Sequence, residues 1–197
     1  SFTLMAIISL ESLVILSIYV ILNILYSLKL KRIAVLDVTI IAIGFVSRLF
    51  VGSFAYEIQL TIWIVIMTFL LALFMALAKR RDDILIFLKS GNKMRKSVDG
   101  YNLQLIDGAM MVMSAVVIVA YLLYTTSQEI IEKFQNENLY LTTLFVIFGL
   151  MRYLQITLVE KNSGSPTETI FKDKIMQINL VLWVLSFVWI IYITSTS

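Results

Sequence analysis

Long apolar runs dominate this sequence and limit the folds that it can adopt. A helix needs about 20 predominantly apolar residues to cross a bilayer. We interpret six runs as full spans: residues 13–28, 33–55, 60–78, 105–124, 140–158 and 175–193. The runs do not alternate between apolar and polar residues as barrel strands do, and lipid offers the backbone no hydrogen-bond partner. The sequence therefore predicts an all-α fold, a polytopic transmembrane helical bundle.

The N-terminal residues contain a shorter apolar segment. Residues 4–10 are too few to span a membrane, and Glu11 follows them. They are interpreted as the tail of a partial helix that turns near Glu11, with a single long tilted helix as the alternative. Because the chain begins inside an apolar run, we expect it to be cut from something longer. With 60% hydrophobic residues and no polar stretch long enough to bury its own core, residues 1–197 are expected to form a single, N-terminally truncated transmembrane domain.

Two residue types are missing from the chain altogether. It contains no Cys and no His, which excludes disulfides, metal or haem binding through these side chains, and Cys or His as nucleophile or base. Any bound metal must use oxygen ligands, which hard cations such as Mg²⁺ prefer. The net charge is only +3, so the basic residues matter through their placement, and no nucleic-acid partner is expected.

The basic residues fall almost entirely on one side of the predicted helices. When the loops are taken in alternation, thirteen Lys and Arg residues lie on one side, in segments 29–32, 79–96 and 161–174, and Lys133 alone lies on the other. The positive-inside rule assigns the first side to the cytoplasm. We therefore expect an integral membrane protein with its main polar loops in the cytoplasm and its C-terminus outside.

The densest polar stretch occupies residues 78–107. Lys79, Arg80 and Asp83 have i,i+3 and i,i+4 spacings, so they can share one helical face at the membrane surface. Two cations and a carboxylate there could hold a phosphorylated substrate and help to place a metal ion. The alternative is ordinary juxtamembrane charge with local ion pairing. The same stretch continues with further polar residues, which are Lys89, Asn92, Lys93, Arg95, Lys96, Tyr101 and Asp107.

Two arginines, Arg48 and Arg152, lie inside apolar runs. An arginine at a helix centre costs at least about 2.5–3.5 kcal/mol on insertion, and such residues usually face an internal cavity and a partner. The alternative is that their side chains snorkel to an interface. Asp37 shares a helix face with Arg48, but about three helical turns separate the two residues, which is too far for a direct pair.

Segments along the whole chain resemble the UbiA superfamily of intramembrane prenyltransferases, and in particular its branch of decaprenyl-phosphate phosphoribosyltransferases. No segment is specific alone, but their order and spacing together are. The segments are Tyr26 to Lys31 with Asp37, Gly44-Phe45-Val46-Ser47-Arg48 with Gly52, Lys79-Arg80-x-x-Asp83, Arg95 to Tyr101, and Arg152-Tyr153 with Gly164-Ser165-Pro166-Thr167-Glu168 and Asp173.

The resemblance implies a ring of nine helices around a cavity that opens to lipid, in a bacterial inner membrane. It implies Mg²⁺-dependent transfer of phosphoribose from 5-phosphoribosyl 1-diphosphate, a phosphorylated small-molecule donor, to a polyprenyl phosphate lipid. Asp83 would be the catalytic carboxylate, on the metal side or orienting the substrate. The substrate-binding residues that it implies are Lys31, Arg48, Lys79, Arg80, Arg95, Tyr101 and Arg152.

The chain departs from the family pattern in one respect. The first Asp-rich motif, Asn-Asp-x-x-Asp-x-x-x-Asp, does not occur in these 197 residues. We therefore expect the main Mg²⁺ ligands to lie upstream and this segment to be inactive alone; a split or degenerate member is the alternative. Two other functions stay open. One is UbiA-type transfer of a polyprenyl group from its diphosphate to an aromatic or other acceptor, and the other is a non-catalytic membrane protein.

Overall fold

The computed structural model describes residues 10–56, 58–90, 100–160 and 166–192 of the chain, and nearly all of these are helical. No strand occurs within these ranges, which confirms the predicted all-α class. Short 3-10 turns cover Leu30–Arg32 and Asn138–Thr142, and a π-helical turn, Gln155–Val159, extends the sixth helix. The α-helices of the described part of the chain are α1 (Leu10–Leu28), α2 (Leu36–Tyr56), α3 (Ile62–Ser90), α4 (Leu103–Thr126), α5 (Gln128–Phe134), α6 (Thr143–Leu154), α7 (Pro166–Lys172) and α8 (Lys174–Tyr192).

Among the described residues, five helical segments are long and apolar enough to cross a membrane, and they match five of the six predicted runs. They are Leu36–Tyr56, Ile62–Leu88, Leu103–Thr126, Asn138–Val159 and Lys174–Tyr192. The remaining run, Leu13–Leu28, is helical but shorter than a full span. Glu11 lies within α1, so the chain does not turn at that residue; residues 1–9, which held most of the predicted partial helix, lie outside the described residues. These apolar helices support an integral membrane protein.

The first of two compact units ends at Ile106. In this unit α2 packs against both α1 and α3, and the buried side chains include Val38 and Ala42 of α2 and Phe74 of α3. Helix α3 has 29 residues. At 1.5 Å per residue, Arg80 lies about 27 Å from the start of the helix, near the edge of a hydrocarbon core about 30 Å thick. The helix therefore carries its charged residues to the membrane boundary.

Helix α3 continues through much of the polar stretch that follows its apolar run. It ends only at Ser90, so Lys89, which was expected in a basic loop, belongs to the helix. The rest of that predicted loop, residues 91–99, lies outside the described residues and includes Arg95. Before α4, the side chain of Asn102 accepts a hydrogen bond from the Leu105 amide (2.7 Å), which caps the start of this helix.

The second compact unit begins at Asp107. Helices α6 and α8 pack together in this unit, and the Asn179 amide of α8 donates a hydrogen bond to the Phe145 carbonyl of α6 (2.9 Å). Gly149 leaves room for this contact, since a Cβ there would lie 2.9 Å from Asn179 Nδ2. A polar side chain within an apolar span is thereby satisfied by a neighbouring helix, as the lipid environment requires.

Candidate functional site

Four side chains of the first unit form a connected polar group, which we call the Arg80 cluster: Asp37, Arg80, Asp83 and Tyr101. Arg80 Nε donates to Asp37 Oδ2 at 2.6 Å, and Arg80 Nη1 donates to Asp83 Oδ2, three residues further along α3. The Tyr101 hydroxyl donates to Asp37 Oδ1 at 2.6 Å. Asp37 is 0% exposed, Arg80 1% and Asp83 8%. The cluster therefore joins α2, α3 and the segment before α4 through charge-assisted hydrogen bonds.

The connection between α1 and α2 brings Tyr101 to Asp37. Gly100 packs against Ala34 of this connection so closely that a Cβ at Gly100 would lie 2.6 Å from Ala34 Cβ. The next residue, Val35, has a φ of 70°, which is strained for a β-branched side chain. Its amide donates to the Tyr101 hydroxyl at 2.6 Å. The phenol oxygen thus accepts from the strained turn and donates to Asp37, so it fixes both together.

The environment of Tyr101 keeps its phenol protonated. Burial raises the pKa of Tyr101 well above its ordinary value, and the hydrogen bond to the Asp37 carboxylate raises it further. The hydroxyl proton is therefore retained at physiological pH. Because a phenolate could not donate to a carboxylate, this protonation state maintains the link between Tyr101 and Asp37.

The charges of the cluster do not cancel, because two carboxylates share one guanidinium. Both oxygens of Asp37 are engaged. Asp83 Oδ2 is engaged by Arg80, whereas Asp83 Oδ1 accepts no hydrogen bond from the residues that the structure describes. Asp83 therefore presents the one carboxylate oxygen of the cluster that can act on a ligand.

A complete metal site is not formed within the described ranges. No group of three or more Asp and Glu side chains there is arranged to hold a metal ion. Asp37 offers no free oxygen, and a single carboxylate does not satisfy the six-coordinate geometry of Mg²⁺. The described residues alone would therefore supply only Asp83 to the predicted Mg²⁺, whose main ligands were expected upstream.

The structure separates the predicted substrate-binding residues into different environments. Arg80, Asp83 and Tyr101 meet, but Lys79 is exposed on α3 and is not part of the cluster. Lys31 is half-buried in the 3-10 turn Leu30–Arg32.

Sequence reasoning did not assign a partner to Asp37, because it compared this residue only with Arg48. A buried carboxylate in the first turn of an apolar helix was the available signal, since such a group requires a cation.

Arg48 lies at a second polar position of the first unit, in the middle of α2. Its Nε and Nη2 donate to the Tyr19 hydroxyl of α1 at 3.0 and 2.6 Å. The guanidinium lies over the rings of Tyr19 and Phe45, 5.3 and 5.4 Å from their centroids. A cavity of about 110 Å³ opens beside it and is also lined by Asn23 and Tyr26. Among the described residues Arg48 makes no ion pair, so cation–π contacts provide much of its stabilisation.

Arg152, in the second unit, is held by acidic side chains. Its Nη2 donates to Asp173 Oδ2 at 2.6 Å, and its Nη1 donates to Gln155 and Glu160 at 3.0 and 3.1 Å. Asp173 in turn accepts from the Met176 amide at 2.8 Å and caps the start of α8. The hydrogen bond from Arg152 holds the pKa of Asp173 below its ordinary value. Arg152 thus ties the π-helical turn to the start of α8.

Comparisons with known proteins give one consistent result. The chain is 26% identical over 177 residues to a protein of Mycolicibacterium smegmatis named decaprenyl-phosphate phosphoribosyltransferase, with 87% of the chain and 55% of that protein covered. It is 25% identical over 179 residues to a protein of the same name from Corynebacterium glutamicum, with 91% and 54% covered. A third, from Mycobacterium tuberculosis, is 19% identical over 167 residues, with 85% and 54% covered.

The chain spans about half the length of the curated relatives that it matches. No family model matches the sequence. All three relatives carry the name of the branch that the sequence segments had indicated, at low identity but over most of this chain. The resemblance is therefore confirmed: this chain is similar, at low identity, to proteins named decaprenyl-phosphate phosphoribosyltransferase.

Proposed function

We propose that this chain is part of a membrane transferase that moves phosphoribose from 5-phosphoribosyl 1-diphosphate to a polyprenyl phosphate. The observation that carries the proposal is the Arg80 cluster. Its residues come from three of the segments that resemble the phosphoribosyltransferase branch, and direct hydrogen bonds join them. The names of the relatives support a polyprenyl-phosphate substrate, and the apolar helices support a reaction at a membrane.

The reaction exchanges one bond at the anomeric carbon of the ribose. The bond from that carbon to the diphosphate oxygen breaks, and the diphosphate leaves with the electron pair. An oxygen of the lipid phosphate forms the new bond, which gives a polyprenyl-phosphoryl 5-phosphoribose and free diphosphate. Positive charge develops on the ribose while the leaving group gains negative charge, so cations near the diphosphate and a carboxylate near the sugar both favour the transition state.

The residues of this chain divide between these two needs. Lys79 is exposed on α3 near the membrane boundary, where a soluble phosphorylated donor arrives. Asp83 offers its free oxygen to the sugar or to a cation that accompanies the diphosphate. Lys31, Arg48, Arg95 and Arg152 keep the substrate-binding roles that the family resemblance implies.

Magnesium dependence is part of the proposal, but this chain does not account for it alone. When bound, Mg²⁺ would neutralise charge on the departing diphosphate. Since no group of three or more acidic side chains in the described ranges is arranged to hold a metal ion, its other ligands must come from elsewhere. Removal of divalent cations with EDTA is expected to abolish transfer and added Mg²⁺ to restore it; transfer that persists in EDTA would remove Mg²⁺ from the proposal.

The proposal is tested with the intact protein in membranes, supplied with Mg²⁺, polyprenyl phosphate and a donor labelled in both the ribose and the 5-phosphate. We expect both labels to enter the organic-extractable lipid together and Asp83→Asn to prevent this. If no label enters the lipid, the proposal is wrong. If the protein instead joins a polyprenyl diphosphate to an aromatic acceptor, prenyl transfer is the correct activity.

The orientation in the membrane is proposed on the same basis. The loops that carry most of the basic residues would face the cytoplasm, where the phosphorylated donor is made, and the Arg80 cluster would lie on that side. A cysteine introduced at Lys79, in this cysteine-free chain, tests the placement. It should react with a membrane-impermeant thiol reagent in inverted vesicles and not in intact cells, and the reverse pattern would refute the orientation.

A further inference from the structure

The adjacent cations Lys79 and Arg80 occupy opposite environments on α3. Lys79 is exposed, whereas Arg80 is 1% exposed. Successive residues of an α-helix point about 100° apart, so one of the two can face the surface while the other faces α2. The family resemblance implies that both residues bind substrate, and this difference in burial argues against the same role for both.

The hydrogen bonds of Arg80 also argue against direct contact with a phosphate. A guanidinium recognises a phosphate through two parallel N–H groups along one edge. Arg80 Nε donates to Asp37 and Arg80 Nη1 donates to Asp83, so two of the three guanidinium nitrogens already donate to carboxylates. A phosphate approaching this buried guanidinium would also meet the negative charge of Asp37 and Asp83.

The same geometry gives Arg80 a different task. It holds one oxygen of Asp83 and leaves the other free, and it is itself held from α2 by Asp37. Tyr101 fixes the second oxygen of Asp37. The chain of contacts from Tyr101 through Asp37 and Arg80 ends at Asp83, the only member of the cluster with a free carboxylate oxygen among the described residues.

We propose that Arg80, Asp37 and Tyr101 are positioning residues that orient Asp83, and that Lys79 alone of the two adjacent cations binds the donor's phosphate. This inference rests on the proposed transfer of phosphoribose. It assigns a role to Asp37 and divides the Lys-Arg-x-x-Asp segment into a phosphate contact, a buried anchor and an acting carboxylate.

Steady-state kinetics of the intact enzyme in membranes separate the two roles. Losing a charged hydrogen bond to substrate weakens binding roughly tenfold to a hundredfold. Lys79→Gln is therefore expected to raise the KM for 5-phosphoribosyl 1-diphosphate by about that factor while kcat changes little.

Arg80→Gln is expected to lower kcat by a similar factor while the KM for the donor stays within about threefold. Tyr101→Phe, which removes only the distal link, should lower kcat less than Arg80→Gln does.

The paired variant Asp37→Leu with Arg80→Met distinguishes positioning from a structural role and guards against misfolding. It replaces the ion pair by apolar groups, a change that buried pairs often tolerate. Because Asp37 is no longer left as a buried charge without a cation, we expect a melting temperature above that of Arg80→Met, an unchanged KM for the donor and a kcat that stays low. Recovery of kcat in this variant would show that the pair serves only stability and would overturn the inference.

Other outcomes are equally decisive. If Arg80→Gln raises the KM for the donor as Lys79→Gln does, Arg80 is a phosphate ligand and the inference is wrong. If the wild-type enzyme transfers no phosphoribose and does not retain labelled donor in equilibrium dialysis, the proposed function fails and the division of roles fails with it. Transfer by the wild type together with an Arg80-dependent KM overturns the inference alone.

Discussion

Removal of the Arg80 guanidinium should destabilise the protein far more than removal of the adjacent Lys79 ammonium. Arg80→Met would leave the Asp37 carboxylate, which is 0% exposed, without a cation. The Nε–Oδ2 distance is 2.6 Å, and two charges about 4 Å apart interact by about 4 kcal/mol at an effective dielectric constant near 20. Breaking a buried pair by removing one partner costs about 3–5 kcal/mol in measured cases. We expect a loss of that size in the free energy of unfolding.

Thermal unfolding of the intact protein in detergent, followed by size-exclusion chromatography, measures the effect. A loss of about 3–5 kcal/mol corresponds to a fall of roughly 6–20 °C in the melting temperature of a chain of this size. Lys79→Met is the matched control, because Lys79 is adjacent and exposed, and its effect should be within about 0.5 kcal/mol. Equal melting temperatures for Arg80→Met and Lys79→Met would refute the assignment of Arg80 as the buried anchor.

Three further predictions test other contacts. Gly100→Ala should lower the melting temperature, because a Cβ there would lie 2.6 Å from a Cβ of the α1–α2 connection. Gly52→Ala is the control, since a Cβ at Gly52 meets nothing within 4 Å, and it should not lower the melting temperature. Equal effects of the two variants would contradict the close approach at Gly100. The raised pKa of Tyr101 predicts that its phenol stays protonated while other tyrosines ionise, and that its contribution to stability declines as the pH rises above about 10. Absorbance titration of the wild type and of Tyr101→Phe measures this. If the variant lacks an ordinary phenolate step that the wild type shows, Tyr101 has an ordinary pKa and the prediction is wrong. The lowered pKa of Asp173 predicts a contribution to stability that is present above pH about 4 and lost below it. Arg152→Gln should therefore weaken the fall in melting temperature at acid pH. If that fall is unchanged in the variant, the Arg152–Asp173 pair is not its cause.

The helices were predictable because their signal is local. An apolar run of sufficient length must satisfy its backbone internally in lipid, and that requirement does not depend on the neighbouring chain. The bond between Arg80 and Asp83 was predictable for a similar reason, since i,i+3 residues are neighbours on any helix. Helix α3 nevertheless extends beyond its apolar run to Ser90, because a helix does not need to end where its hydrophobicity does.

The partners of the buried charges depend on contacts between distant segments. Asp37 and Arg80 are 43 residues apart, and Asp37 and Tyr101 are 64 apart. No periodicity in a single helix relates such residues. Arg48 likewise finds the hydroxyl of Tyr19 on α1 rather than a carboxylate on its own helix. Sequence reasoning recognised that each intramembrane charge needs compensation, but it could not choose the compensating group.

The sequence by itself determined the all-helical membrane architecture, the oxygen-only chemistry of any metal site and the phosphoribosyltransferase resemblance, because these follow from composition, run length and the order of short segments. Only the tertiary structure decided that Arg80 is buried between two carboxylates while Lys79 is exposed. That difference arises from the way α2 packs on one face of α3, since the packing desolvates one cation and leaves its neighbour in contact with the surface.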